Sequence, residues 1–253
     1  MNLKEFFNSE IRKYFRFRDY LPKFKFGRVA SEILIEHIEP YRYMDGWNMK
    51  PFNGQVRRLQ NICLINNAFK PDFCLETGTY LGTTTTFLAG LPNIKTYTFE
   101  INPESASYAK NRFVNNYPYL NIELVTGDSA VELPKILRTL NPDVKIFVYL
   151  DSHWLNEVPT AQEINFLNEW GSNWIAVIDD FKVEHDPGYG FDTYNKEIVG
   201  PDVVPHLNGL EIWVPKEKSQ YETGARRGTG YIFTELSIKY MNQEVMQNLI
   251  RIR

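Results

Sequence analysis

The sequence predicts an α/β protein built on a doubly wound, mostly parallel sheet, and three observations predict it. From residue 70 onward, short apolar runs alternate with longer amphipathic segments, strand then helix then strand, joined by short links. The first of these links carries two glycines, Gly78 and Gly82, between a strand and a helix, as a tight ligand-facing turn requires. Late in the chain, 209–214 and 230–233 read as two strands joined by the polar stretch 215–229, an antiparallel pair at one edge.

The elements follow in order. Candidate strands are 73–76, 96–100, 122–125, 146–151 and 174–179, and candidate helices are 83–89, 103–115, 130–140 and 160–170. In the third helix Leu133, Ile136, Leu137 and Leu140 recur at i, i+3, i+4 and i+7, one face of a 3.6-residue period. Residues 239–250 are also expected to be helical. Near the start, Phe7, Ile11, Tyr14 and Phe15 share a helix face. The expected organisation is a helical or lid segment over 1–53, a core over 54–238 and a helical tail over 239–253.

Composition narrows the function classes. Among 253 residues, 28 basic side chains face 31 acidic ones, a net charge of −3, which argues against a polyanion-binding protein as a whole. With 43% hydrophobic residues, 15 Gly and 14 Pro, disorder and collagen-like repeats are excluded. The average hides a basic end: Lys4, Arg12, Lys13, Arg16, Arg18, Lys23, Lys25 and Arg28 crowd residues 1–28. That end is expected to dock as an amphipathic helix, with an RNA or anionic-membrane contact as the alternative. Two cysteines, Cys63 and Cys74, point to a reducing compartment. No signal-like segment and no membrane-spanning apolar run are visible, so a cytoplasmic protein is expected. The aromatic share is 15%, and it gathers before residue 53 and in the loop 189–194.

The chemistry-bearing residues lie where strands end. In Glu76-Thr77-Gly78-Thr79-Tyr80-Leu81-Gly82-Thr83, the glycines let the backbone approach a ligand at the start of the following helix. A dinucleotide turn needs a glycine where Tyr80 stands, so a ligand without a pyrophosphate is indicated. Glu76 would repel phosphate and can hold an ammonium group. Glu100, 22 residues beyond Gly78, closes the second strand and can accept both hydroxyls of a ribose, with Ile101 beside it. After the third strand, Asp128 and Ser129 suit either an adenine edge or a helix cap. Asp151 and Asp179 end the fourth and fifth strands on one sheet edge, and Asp180 follows. Three carboxylates converging without a basic partner call for a hard cation, Mg²⁺ above all.

In these stretches the sequence resembles the class I S-adenosylmethionine-dependent methyltransferases, and among them the metal-dependent small-molecule O-methyltransferases of the catechol type. The matching residues are Glu76 to Gly82, Phe99-Glu100-Ile101-Asn102-Pro103-Glu104, Tyr149-Leu150-Asp151 with His153-Trp154, and Ile178-Asp179-Asp180, in order between about residue 54 and 181. Gly54-Gln55 also resembles a Gly-Gln pair ahead of that family's core. The resemblance implies a Rossmann-like, seven-stranded sheet with one antiparallel strand at its end. It further implies that Glu76, Gly78, Thr79, Tyr80, Gly82 and Thr83 meet the methionine end of the cofactor, and Glu100 and Ile101 the ribose side, with Asp151 also in contact with the cofactor. Asp151, Asp179 and Asp180 would be metal ligands, with Asp180 standing where the family carries Asn, a change that would favour Mn²⁺ or Ca²⁺ over Mg²⁺.

The expected activity is therefore an S-adenosylmethionine-dependent, divalent-metal-assisted O-methyltransferase acting on a small hydroxylated acceptor such as a sugar, phenol or natural product. Asp151 and His153 are the candidate catalytic residues, since His accepts a proton near neutral pH; Lys182 and His185 are alternatives. The family's lysine after the tryptophan is replaced here by Leu155. Competing readings are an RNA methyltransferase using the basic N-terminal segment and a non-catalytic cofactor-binding protein of the same fold. Self-association is left open.

Overall fold

The structure, a computed structural model, describes residues 50–91, 94–152 and 158–253, all within one compact unit, Asp45–Arg253. The expected N-terminal helix, the basic segment 1–28 and His153 lie outside the described residues. Helix α1 (Val56–Phe69) precedes the alternation of β1 (Phe73–Thr77), α2 (Thr83–Gly90), β2 (Lys95–Glu100), α3 (Pro103–Asn116) and β3 (Ile122–Thr126). The chain continues through α4 (Ser129–Leu137), β4 (Ile146–Leu150), α5 (Thr160–Trp170) and β5 (Trp174–Ile178). A small β6 (Thr193–Tyr194) and β7 (Glu197–Ile198) hairpin interrupts the run before β8 (Leu210–Pro215), β9 (Gly230–Thr234), α6 (Gln243–Met246) and β10 (Leu249–Arg251).

The main sheet has eight strands in the order β10-β8-β9-β5-β4-β1-β2-β3. Strands β1 to β5 are mutually parallel, whereas β9 is antiparallel to β5, β8 to β9, and β10 to β8. The doubly wound, mostly parallel class read from the sequence is what the chain adopts. Two expectations are corrected. The sheet has one strand more than seven, and the tail is α-helical only over Gln243–Met246, after a 3-10 turn that ends at Tyr240, before Leu249–Arg251 pairs with β8. Asn242 caps that short helix on Val245 N, and the apolar run that follows, Leu249-Ile250, finds an open sheet edge.

Strand order reverses between β1 and β4, so a crevice opens beyond the carboxyl ends of those strands. Side-chain parity then decides what faces it. In β4, Ile146, Val148 and Leu150 join the core on one face of the sheet, while Phe147 and Tyr149 join the other with Ile62, Ile65 and Phe69 of α1. Every residue of β4 and β5 is buried, which is why both read as unbroken apolar runs. Ile175 and Val177 share the α1 face, and continuing the same parity carries Asp179 toward α1. Phe52, within the segment 1–53 expected to be helical or a lid, is core: it is 1% exposed, with its ring 5.3 Å from Phe87 and 5.2 Å from Tyr149.

Candidate active site

The turn after β1 is built as its sequence demands. Gly78 (φ +85°) and Gly82 (φ +74°) both occupy the left-handed region, and so does Tyr80 (φ +47°), half exposed. A Cβ on Gly78 would stand 2.1 Å from the Asp151 carbonyl oxygen, so the turn after β1 lies directly against the end of β4. The Gly78 and Thr79 amides both donate to the Phe99 carbonyl, at 3.0 and 3.1 Å, and the Asp151 amide donates to the Thr77 carbonyl at 2.9 Å. Gly82 then caps α2, whose first residue, Thr83, accepts from Arg112 at 3.2 Å. The Thr79 hydroxyl is 2.5 Å from that of Thr98.

Glu76 is buried beneath this turn and accepts from the hydroxyls of Thr85 and, at 2.7 Å, Thr98. Burial pushes its carboxyl up to about 7, against the pull of the two hydroxyls. Glu100 is 8% exposed and already oriented: one oxygen accepts from Tyr80 N at 2.7 Å and the other from Asn102 N at 2.8 Å. Ile101, next to it, is an apolar side chain left 63% exposed. Beyond β3, Asp128 acts as a helix cap, accepting from Ala130 N at 2.9 Å. The Ser129 hydroxyl donates to the buried carboxylate of Glu163 at 2.6 Å, and Ser152 donates to the same oxygen at 2.8 Å. Glu163 on α5 thus ties the ends of β3 and β4 together, a role with no signal in the local sequence.

At the ends of β4 and β5 the expectation is corrected most sharply, because the carboxylates do have basic partners. Arg58, 2% exposed on α1, forms an ion pair with Asp179 and reaches the Tyr149 hydroxyl at 3.1 Å. Its other terminal nitrogen donates to the carbonyls of Arg227 (2.7 Å) and Gly228 (3.0 Å). Asp179 also accepts from Tyr149 Oη at 2.8 Å, Asn53 Nδ2 at 3.1 Å and Asp180 N at 2.6 Å. Asp180, at φ +53°, pairs with Arg227, which also pairs with Asp192; Tyr194 donates to Asp192 at 2.6 Å. At Asp151, burial together with Asp179 and Asp180 raises the proton affinity well above the usual carboxylate range.

These residues do not fit a divalent ion. A carboxylate has about four lone-pair positions. Four donors already fill those of Asp179, and Asp180 is committed to Arg227. Among the described residues no three His, Cys, Asp or Glu side chains are grouped so as to hold a metal. The arginines were missed because Arg58 lies on a helix and Arg227 on a late loop, each remote in sequence from the acids. The signal available was Gly54-Gln55, which marks the segment that brings Arg58 in.

That segment is locked by the loop before β9. Gln55 exchanges two hydrogen bonds with the Arg227 backbone, at 2.8 and 2.6 Å. Glu222, 4% exposed, accepts from the amides of Arg57 and Arg58, and the Thr223 hydroxyl accepts from Val56 N, so the start of α1 is capped from a distance. The alternative bases lie on the surface side of the loop after β5: Lys182 pairs with Glu184 at 3.5 Å and His185 is exposed. Tyr189 is buried, Tyr194 half-buried and Phe191 38% exposed, so the aromatic cluster divides between packing and the surface. Both cysteines are free thiols, and no helix among the described residues is long and apolar enough to cross a membrane.

Neither a protein-family model nor a curated protein matches the chain. Solved structures do. An O-methyltransferase from Bacillus cereus in complex with SAH is 13% identical over 87% of this chain and 97% of its own, with a TM-score of 0.54. The cofactor-bound protein Rv0187 from MTB is 18% identical over 71% of this chain and 80% of its own, with a TM-score of 0.51. Likeness at these identities fixes architecture rather than chemistry: this chain has the fold of the class I methyltransferases.

Proposed function

We propose that this protein is an S-adenosylmethionine-dependent methyltransferase that methylates a hydroxyl of a small acceptor. The observation that carries the reading is the Gly78 turn, pressed against the Asp151 carbonyl with Glu76 buried beneath it and Glu100 held by Tyr80 N and Asn102 N. In this reading Glu76 would meet an ammonium group, Glu100 two vicinal hydroxyls and the exposed Ile101 an apolar part of the ligand, which together suit an amino-acid-bearing nucleoside. The SAH and cofactor bound in the two structural neighbours support it.

In that reading Glu76, Gly78, Thr79, Tyr80, Gly82 and Thr83 receive the methionine portion, Glu100 and Ile101 the ribose side, and Asp128 and Ser129 flank the base. The cofactor supplies an electrophilic methyl group on a sulfonium, already a good leaving group. The chain's task is to align the acceptor oxygen in line with that methyl and to take the hydroxyl proton. Asp151, beside the turn, orients the hydroxyl, and His153 takes its proton, with Lys182 and His185 as the alternative bases. Metal assistance is not part of the proposal. Calorimetric titration with S-adenosylhomocysteine tests it: one site per chain is expected, lost in Glu100→Ala. A wild-type protein that binds neither S-adenosylhomocysteine nor S-adenosylmethionine overturns the reading.

A further inference from the structure

We infer that the acidic edge of the sheet is an arginine-compensated site, in which Arg58 and Arg227 hold the positive charge that such a carboxylate cluster requires, so that it takes no divalent cation. Four acidic side chains, Asp151, Asp179, Asp180 and Asp192, gather at the ends of β4 and β5 and on the loop that follows. Two guanidinium groups enter this cluster from different elements. Arg58 is inserted from α1, desolvated and held in register by the Arg227 and Gly228 carbonyls and by the Tyr149 hydroxyl. Arg227 comes from the loop before β9 and bridges Asp180 to Asp192.

The two arginines are not independent. The backbone carbonyl of Arg227 accepts from Arg58 and from Gln55, and its amide donates to Gln55, so one short segment fixes both cations. A planar guanidinium with five donors can satisfy carboxylates and carbonyls at once, which a hydrated metal ion would do with waters. A divalent ion entering here would have to displace a buried, hydrogen-bonded cation from Asp179.

Joined to the proposed function, the inference makes the acceptor site independent of metal, but its test does not rest on that reading. Electron paramagnetic resonance of Mn²⁺, titrated into the full chain at pH 7.5, reads occupancy directly, without cofactor or turnover. Wild type is expected to show no saturable site. Arg227→Gln, partly exposed and therefore the gentler change, is expected to gain Mn²⁺ affinity about tenfold or more, because one positive charge beside Asp180 and Asp192 is gone. Arg227→Lys keeps the charge and is expected to resemble wild type. Saturable binding of one Mn²⁺ by wild type below about 100 μM, about 5.5 kcal/mol of affinity, abolished in Asp179→Asn, would overturn the inference. So would a folded Arg227→Gln protein, shown by circular dichroism, with no gain over wild type. Should that variant fail to fold, the wild-type titration alone decides. Failure of S-adenosylhomocysteine binding with a silent Mn²⁺ titration would sink the proposed function and leave this inference standing.

Discussion

Gln55 and Arg227, 172 positions apart, exchange two hydrogen bonds: Gln55 Nε2 donates to the Arg227 carbonyl at 2.8 Å and the Arg227 amide donates to Gln55 Oε1 at 2.6 Å. A side-chain amide thus imitates a strand neighbour and clamps the start of α1 to the loop before β9. Gln55 is 1% exposed, so truncation strands backbone polar groups away from water. Gln55→Ala is expected to cost about 1–3 kcal/mol in urea unfolding. Gln55→Glu is expected to cost at least as much, since a carboxylate would then face the Arg227 carbonyl. A loss below about 0.5 kcal/mol in both would show that the clamp is idle.

Glu76 makes stability depend on pH. Its carboxyl is raised from its ordinary 4.5 to about 7, burial being the main cause. A raised acid stabilises the fold fully below the unfolded value, and that contribution is lost as pH rises through the folded value. Glu76→Gln, neutral throughout, is therefore expected to be more stable than wild type at pH 8, by up to about 3 kcal/mol, with the difference vanishing below pH about 4.5. The same variant should bind S-adenosylhomocysteine more weakly at pH 8, where the wild-type carboxylate is ionised and can meet the ammonium. Thermal unfolding and calorimetry at both pH values check the two halves separately.

Gly78 and Gly82 should respond unequally to a methyl group. At Gly78 the new Cβ meets backbone, the Asp151 carbonyl at 2.1 Å. At Gly82 it meets the Phe113 ring at 2.5 Å, a side chain with some freedom to turn. Both also place alanine at positive φ, costing about 1 kcal/mol. Gly78→Ala is expected to abolish S-adenosylhomocysteine binding and to lower stability more than Gly82→Ala. The reverse ranking would mean that the β1 to β4 contact is not rigid.

Asp179 and Arg58 form a buried pair, and removing one partner leaves the other charged in a dry site. Asp179→Ala is expected to lose about 3–5 kcal/mol. Asp179→Asn keeps two of the oxygen's roles through its carbonyl and should lose less. The joint replacement Arg58→Met with Asp179→Ala should recover part of the loss, and a double-mutant cycle measures the coupling. An additive cycle would contradict the pairing.

The sequence by itself determined the sheet, because the apolar runs of β1 to β5 and the periodicity of the helices between them are local signals. It also determined the turn: Gly78 and Gly82 take a positive φ that glycine adopts without a Cβ penalty, and Asp128 caps its helix by its own short reach. The end of the sheet escaped it, since the three residues of β10 acquire meaning only against the open edge of β8. The acidic edge was legible as three carboxylates but not in its chemistry. What neutralises a charge depends on distance in space, and Arg58, 121 positions from Asp179, and Arg227, 47 from Asp180, become neighbours only when α1 packs on the sheet and the last loop closes over its start. That packing is decided by the buried face of α1 and by the Gln55, Glu222 and Thr223 contacts, long-range interactions that no window of sequence contains.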